Sequence, residues 1–367
     1  MECPSRWLGP ILVLGLSAAV SAAWCDESTR SERIATARVV WERELAQAAG
    51  GPVEASYPTE PAVPFLSAYA ITREPEYAAQ ARVQLAYAHR LETNSLVTRD
   101  RGFPAAHRDA QARQIYNFYL AYRILADGEY LSWADSCARA MVETIPRASH
   151  ECAGETHVQF AANFIDVDDP TKTPGAYIID VNQNAEVGLA FGLLYHDPAS
   201  AFFRDPLAKE IALEETLASM SSQEMDTGAI PLNETADRIT QHDTAYGSYA
   251  AFSWVWSQLL WRDPRFEEHI VAAGRWLGGN RDLATGSNRY YSFRNRATEM
   301  PSWESSYRMP LYWYCGLDVA DFVTAIFRRM PNIEPRDPFV APWAYYDLMG
   351  IPRSYYIDGL PLPTGTR

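Results

Sequence analysis

Apolar residues recur every three or four positions along most of this chain, the spacing that puts them on one face of a helix. The segments "ERIATARVVWERELAQAA", "EYAAQARVQLAYAHRLE", "QARQIYNFYLAYRILA", "YLSWADSCARAMVETI" and "PLAKEIALEETLASMSS" carry it. So do "TAYGSYAAFSWVWSQLLW", "FEEHIVAAGRWLG" and "LDVADFVTAIFRRM". Strict alternation is confined to "GAYIIDV" and "RYYSFR", the two short strand candidates. The pattern predicts an all-α protein.

A start signal recurs between helices: "TREPEY" at 72–77, "LADGEY" at 125–130, "FRDPLA" at 203–208 and "WRDPRF" at 261–266. In each, an acidic residue is placed to cap and proline, where present, takes the first turn. The intervals of 53, 78 and 58 residues between the acids Glu74, Asp127, Asp205 and Asp263 each fit one helical hairpin plus loops. The long middle interval holds "HECAGETHVQFAANFIDVDDPTKTPGAY", read as a loop-rich insert. Repeated hairpins of this size predict an α/α toroid of six or seven pairs, with an open solenoid as the alternative. Aromatic-rich helices such as "QIYNFYLAYRIL" and "AFSWVWSQLLW" would line the inside, and helices richer in Glu, Lys and Arg the outside. The proline- and tyrosine-rich "PRDPFVAPWAYYDLMGIPRSYYIDGLPLPTG" reads as an extended tail over the barrel.

The N-terminus is a separate object. Arg6 precedes the apolar run "WLGPILVLGLSAAV", and small residues follow at a cleavage position near Ala22 or Ala23. Residues 1–23 therefore read as a secretory signal peptide and 24–367 as one toroid domain, exported to the periplasm or the medium. No later run is apolar enough to span a bilayer, and a monomer away from the membrane is expected. Of the five cysteines, Cys3 leaves with the signal peptide. Export permits disulfides, and the spacing of Cys137 and Cys152 favours a bridge between them. Net charge is −14, which argues against nucleic acid as a partner. A polyanionic substrate would then need a locally basic cleft.

Chemistry concentrates in four loops ahead of inner-type helices, whose ends converge on one mouth in a toroid. "RDRGFPAAHRDAQARQIYNFY" carries His107, Arg108, Arg113, Gln114 and Tyr116. Arg108 reads there as a solvated loop cation, while Arg113 and Tyr116 lie on the aromatic helix and can hold carboxylates. "YIIDVNQNAEVGLAFGLLY" crowds Asp180, Asn182, Gln183, Asn184 and Glu186 at one helix entrance. A cap needs only one of them, so Asn182 and Asn184 are free to donate to a substrate carboxylate. In "ITQHDTAYGSYA", Thr240 or Asp243 caps and Tyr249 packs. His242 there is a candidate general base four residues before Tyr246, or a histidine bonded at a helix end. Glu234 lies just upstream; His157 and His269 read as structural or surface residues. "GSNRYYSFRNRATEMPSWESSYRMPLYWY" gathers Arg289, Tyr290, Tyr291, Arg294, Arg296, Trp303, Tyr307 and Arg308, a set suited to an anionic sugar or to packing the barrel rim.

With these residues in chain order, the sequence resembles the α/α-toroid polysaccharide lyases, especially polysaccharide lyase family 38, the alginate and glucuronan lyases. Such enzymes place an asparagine, then a histidine, then arginine and tyrosine; here Asn182 or Asn184, His242, and Arg289, Tyr290, Tyr291 and Arg294 match. The block "NNHSYW" of the family 5 alginate lyases is absent. The resemblance implies β-elimination of a uronic-acid polymer. Asn184, Arg289 or a protonated Glu234 would neutralise the substrate carboxylate, and His242 or a tyrosinate would take the C5 proton. Tyr246, Tyr290 or Tyr291 would protonate the leaving oxygen. Neither metal nor cofactor is implied, and "DVDD" at 166–169 lacks a calcium-loop pattern. Two alternatives stay open. A hydrolase on this scaffold would draw a carboxylate pair from Asp180, Glu186, Glu234 and Asp243, and a non-catalytic glycan-binding toroid would need only the aromatics.

Overall fold

The computed structural model describes residues 27–361, except 50, 54, 56, 92–107, 153, 161–178, 232, 236–237, 240–241, 243, 280–287, 292–296, 301–306 and 331–342. For 152, 179, 233–235, 238–239, 245, 288–291, 297–300 and 329 only the backbone is described. The expected signal peptide, His107, Arg294 and Asp243 lie outside the described residues.

Helices alternate between an inner and an outer ring. The inner ones are α2 (Val63–Thr72), α4 (Arg108–Leu125), α6 (Val181–His196), α8 (Thr244–Trp261), α10 (Met309–Tyr314) and α12 (Trp343–Leu348). The outer ones are α1 (Glu27–Ala48), α3 (Pro75–Leu91), α5 (Gly128–Thr144), α7 (Pro206–Ser221), α9 (Pro264–Gly279) and α11 (Ala320–Arg329), with α13 (Arg353–Tyr356) after them. This is the α/α toroid that the periodicity predicts. The inner helix α6 is buried on every face from Val181 to Leu194, because outer, lateral and interior neighbours all cover it. Its contact with α7 is close: a Cβ on Gly188 would stand 2.2 Å from Thr216 Oγ1, so only glycine fits. No helix among the described residues is long and apolar enough to cross a membrane.

Where it is described, at 343–361, the C-terminal stretch is helical and no extended tail. It folds into α12 and α13, and it closes the ring against the N-terminal helices. Trp343 meets Trp41 edge-on at 5.6 Å, Ala344 N donates to Ser67 Oγ at 3.1 Å, and Tyr345 Oη donates to Asn117. Arg30 pairs with Asp358, and Arg33 Nη1 donates to the Ile357 carbonyl at 2.6 Å. Proline suppressed the helical reading there, but proline beside a helix start costs nothing. The insert also differs from expectation, since Arg147–Cys152 (β1) and Glu155–Phe160 (β2) pair as an antiparallel hairpin. Cys137 is buried on α5 with Sγ 4.0 Å from Gln114 Oε1, and the side chain of Cys152, its expected partner, lies outside the described residues.

Connections differ sharply between the two faces of the toroid. From inner to outer helix they are tight. Arg73, Ala126, Arg204 and Arg262, one in each repeat of the start signal, adopt φ of 61°, 54°, 54° and 51°. Each left-handed residue ends a turn, and the acid after it starts the next helix. Asp127 accepts from Glu129 N at 3.1 Å, Asp205 from Ala208 N at 2.9 Å and Asp263 from Arg265 N at 3.0 Å. Glu74 instead forks onto Arg38 of α1. The later turns place glycine in that conformation, at Gly316 (φ 67°) and Gly350 (φ 75°). A side chain there costs about 1 kcal/mol. Ala126→Gly should therefore stabilise the fold by about 1 kcal/mol, read as a raised urea midpoint at unchanged slope.

Candidate active site

The long connections all run from outer to inner helix, so they and the N-termini of the inner helices share the opposite face. Short strands tie them together. Ile179–Asp180 (β3), Asn233–Thr235 (β4) and Arg238–Ile239 (β5) form one sheet, with Ile179 opposite Glu234 and Asp180 opposite Asn233. That pairing joins the entrance of α6 to the segment before α8. Pro231 bridges His242, and Asn288–Tyr291 (β6), paired with Ala297–Met300 (β7), packs on α8.

Just inside this mouth, Arg113 is the organising charge. Its Nε and Nη2 fork onto Glu186 at 2.7 and 2.9 Å, and Nη1 reaches Glu60 at 2.7 Å. The rings of Tyr57 and Tyr249 sandwich the guanidinium, with centroids 4.3 and 4.6 Å away. Tyr57 Oη donates to Asp109 Oδ2 at 2.9 Å. Asp109, Arg113 and Tyr116 recur at helical spacing on the inner face of α4, and Asn182 and Glu186 do so on α6. Burial pushes the Glu186 carboxyl up to about 7, although Arg113 pulls against it. Burial likewise raises Tyr116 and Tyr307, which therefore stay protonated. Deeper in the barrel, Tyr116, Phe252, Trp256 and Tyr345 form an aromatic floor.

A second buried network surrounds Arg108. Its guanidinium donates to Gln183 Oε1, the Phe160 carbonyl and Asn184 Oδ1 at 3.2, 2.9 and 2.8 Å. Asn184 also accepts from Asp180 N, and it donates to Gln159 and Glu215 at 2.7 and 2.6 Å. Arg108 is fully buried, not solvated, because the β1–β2 hairpin covers it.

The expected site residues thus fall into distinct settings. Asn184 sits in that internal network with its amide fully engaged. Asn182 is buried at the mouth without a hydrogen-bond partner among the described residues. Arg113 is tied to two carboxylates, so it braces the wall and has no open edge for a substrate carboxylate. Tyr116 belongs to the floor. His242 is half-buried, with Nε2 2.9 Å from Glu224 Oε1 and its ring 6.3 Å from that of Trp276. Tyr246 is exposed on the first turn of α8. Glu234 is described as backbone in β4, and Arg289, Tyr290 and Tyr291 as backbone in β6. Tyr249 packs as expected, but onto Arg113. His157 and His269 are partnered by Glu214 and Gln223.

The sequence reading passed over Tyr57, Glu60, Asp109 and Glu224. "SYPTEPAVP" at 56–64 has the same proline-and-acid helix entrance as the later repeats, and Asp109 lies one turn before Arg113, so both signals were present. Among the described residues no group of three or more His, Cys, Asp or Glu converges as metal ligands.

No known family profile matches this chain, and no curated protein matches it. Solved structures do. An unsaturated glucuronyl hydrolase specific for heparin superposes with a TM-score of 0.62 at 12% identity, over 92% of this chain and 100% of that one. A cellobiose 2-epimerase from Bacillus thermoamylovorans B4167 gives 0.58 at 13%, over 83% and 86%. A polysaccharide lyase gives 0.50 at 11%, over 92% and 89%. At such identity the likeness is one of fold, and the fold is the α/α toroid.

Two measurements probe the cage. Arg113→Ala leaves Glu186 and Glu60 facing each other without their cation, and should cost about 3–5 kcal/mol in chemical unfolding. The Glu186 carboxyl, raised from 4.5 to about 7, keeps its proton in the folded chain where the unfolded chain has lost it. Folded protein then binds more protons, so its contribution to stability is full below pH 4.5 and fades as pH rises through 7. Glu186→Gln should flatten that decline in a urea-midpoint series across pH.

Proposed function

We propose that this protein is an exported glycan-processing enzyme that cleaves a uronic-acid polymer, of the alginate or glucuronan kind, by β-elimination. One observation carries the reading: the β3–β4–β5 sheet and the Pro231–His242 bridge gather the entrances of α6 and α8, with Asn182 and His242, at one mouth. The engaged state of the described carboxylates also supports it, since Glu60 and Glu186 hold Arg113 and Asp109 holds Tyr57. The solved structures similar in fold include a polysaccharide lyase and an unsaturated glucuronyl hydrolase specific for heparin, which supports the choice of an acidic glycan.

The chemistry follows from the residues. The C5 proton of a uronate is weakly acidic until the adjacent carboxylate is stabilised. The Asn182 amide donates to that carboxylate and favours the enolate-like intermediate. His242 takes the proton, the C5–H electron pair becomes the C4–C5 double bond, and the C4–O bond breaks. A tyrosine at the mouth protonates the leaving oxygen; Tyr246 of α8 and the tyrosines of β6 are the candidates. Asparagine donates hydrogen bonds to the substrate carboxylate without carrying a charge of its own.

A second reading rests on Glu186, whose carboxyl is raised to about 7 and could protonate a glycosidic oxygen in a hydrolase. Incubation with alginate, polyglucuronate or heparin, following ultraviolet absorbance of an unsaturated product together with new reducing ends, separates the two. Elimination gives both signals. Reducing ends without absorbance would replace the lyase with the hydrolase. His242→Ala should lower kcat/KM by about 100- to 10,000-fold, and full activity in that variant would remove His242 from the mechanism.

A further inference from the structure

The imidazole of His242 has two unlike nitrogens in this fold. Nε2 is buried and lies 2.9 Å from Glu224 Oε1, within ion-pair distance for a protonated ring but outside hydrogen-bond geometry. The ring as a whole is half-open, with Nδ1 on its other edge, and its side chain keeps 34% of its exposure. The backbone of Glu224 is fixed in a turn, while its side chain stays 42% exposed. Its N donates to the Ala229 carbonyl at 3.1 Å, its carbonyl accepts from Gly228 N at 2.7 Å, and Oε2 accepts from Thr227 Oγ1 at 3.1 Å. Gly228 turns the chain at φ 77°, where a Cβ would stand 2.0 Å from the Ala272 carbonyl of α9. This turn leads within a few residues to Pro231, which bridges His242. Among the described residues Glu224 is the charged group in contact with the ring. Trp276 of α9 and Pro231, which also meet His242, are uncharged.

We infer that Glu224 is the positioning residue for His242: it holds the Nε2–H edge and so leaves the Nδ1 lone pair to take the substrate proton. The inference rests on the lyase reading above for its substrate, but the tautomer it assigns belongs to the resting protein. A carboxylate on one ring nitrogen selects the tautomer with its proton there and stabilises the imidazolium formed when the other accepts one. In elimination, the C5 proton passes to Nδ1, the positive ring is countered by Glu224, and the proton returns to solvent after product leaves. No other reactant is needed.

Two measurements test this on the full-length protein. Nitrogen NMR of histidine-labelled protein, with the His242 signal assigned by its loss in His242→Ala, should show the Nε2–H tautomer. Glu224→Gln should weaken the preference for that tautomer, and Glu224→Asp should restore part of it. An Nδ1–H tautomer in the parent, or an unmoved tautomer ratio in Glu224→Gln, overturns the inference whatever the activity. In turnover, Glu224→Gln should lower kcat about tenfold or more at unchanged KM. Unchanged kcat, in a variant that melts like the parent, also overturns it. Absence of any unsaturated product from the parent protein would instead sink the lyase reading and leave the NMR result to decide the pairing.

Discussion

The connections from inner to outer helices, two to nine residues long, are shorter than every connection on the other face of the toroid. Three of them consist of two residues, a left-handed one and an acidic one: Arg73–Glu74, Ala126–Asp127 and Arg262–Asp263. Every long segment must therefore cross at the other face, where the inner helices begin. Helix N-termini carry partial positive charge and unsatisfied N–H groups, so that face holds the positive ends of the inner helices in a protein of net charge −14. The asymmetry sets the place of the candidate site before any individual side chain is considered.

Within the mouth, burial has been reconciled with charge by grouping. Arg113 links α4, α6 and the turn before α2 through Glu186 and Glu60, while Tyr57 and Tyr249 cover both faces of its guanidinium. Each cation–π contact adds about 0.5–2 kcal/mol when desolvated. The Arg108–Asn184–Glu215 network does the same between α4, α6 and α7 behind the β1–β2 hairpin. These two networks fix the relative heights of neighbouring helices. Asn182, one turn from Glu186 and two residues from Asn184, is thereby held at the mouth without being consumed by either network. The distinction between an amide bound up in a network and a buried one outside both is what makes it a substrate-facing candidate.

The pairing of His242 with Glu224 has a similar logic. A half-open imidazole on a flexible loop would sample both tautomers, whereas this one is flanked by a glycine-dependent turn and an outer-helix indole. The outer ring thus reaches the site through α9, and the inner ring through α8. An enzyme that must remove a weakly acidic proton gains from such fixing, because the base needs no reorganisation at the moment of transfer.

Much of the architecture was legible in the residues. Spacing by three and four, together with four copies of one turn, defines helical hairpins, and aromatic content separates inner from outer helices. These are local signals, decided by neighbours within one helix turn. The left-handed φ of Arg73, Ala126, Arg204 and Arg262 was not legible, since none of them is glycine and tertiary packing holds the strain. Nor was the fate of the C-terminal stretch, whose helix α12 forms against α2 and α4, hundreds of residues away. The site divides in the same way. Sequence marked Asn182, Asn184, Arg113 and His242 as unusual polar residues at helix entrances. Which of them are engaged and which are open depends on partners as distant as Glu215, Glu60 and Glu224. A side chain's chemistry is a local property, but its availability is a property of everything packed around it.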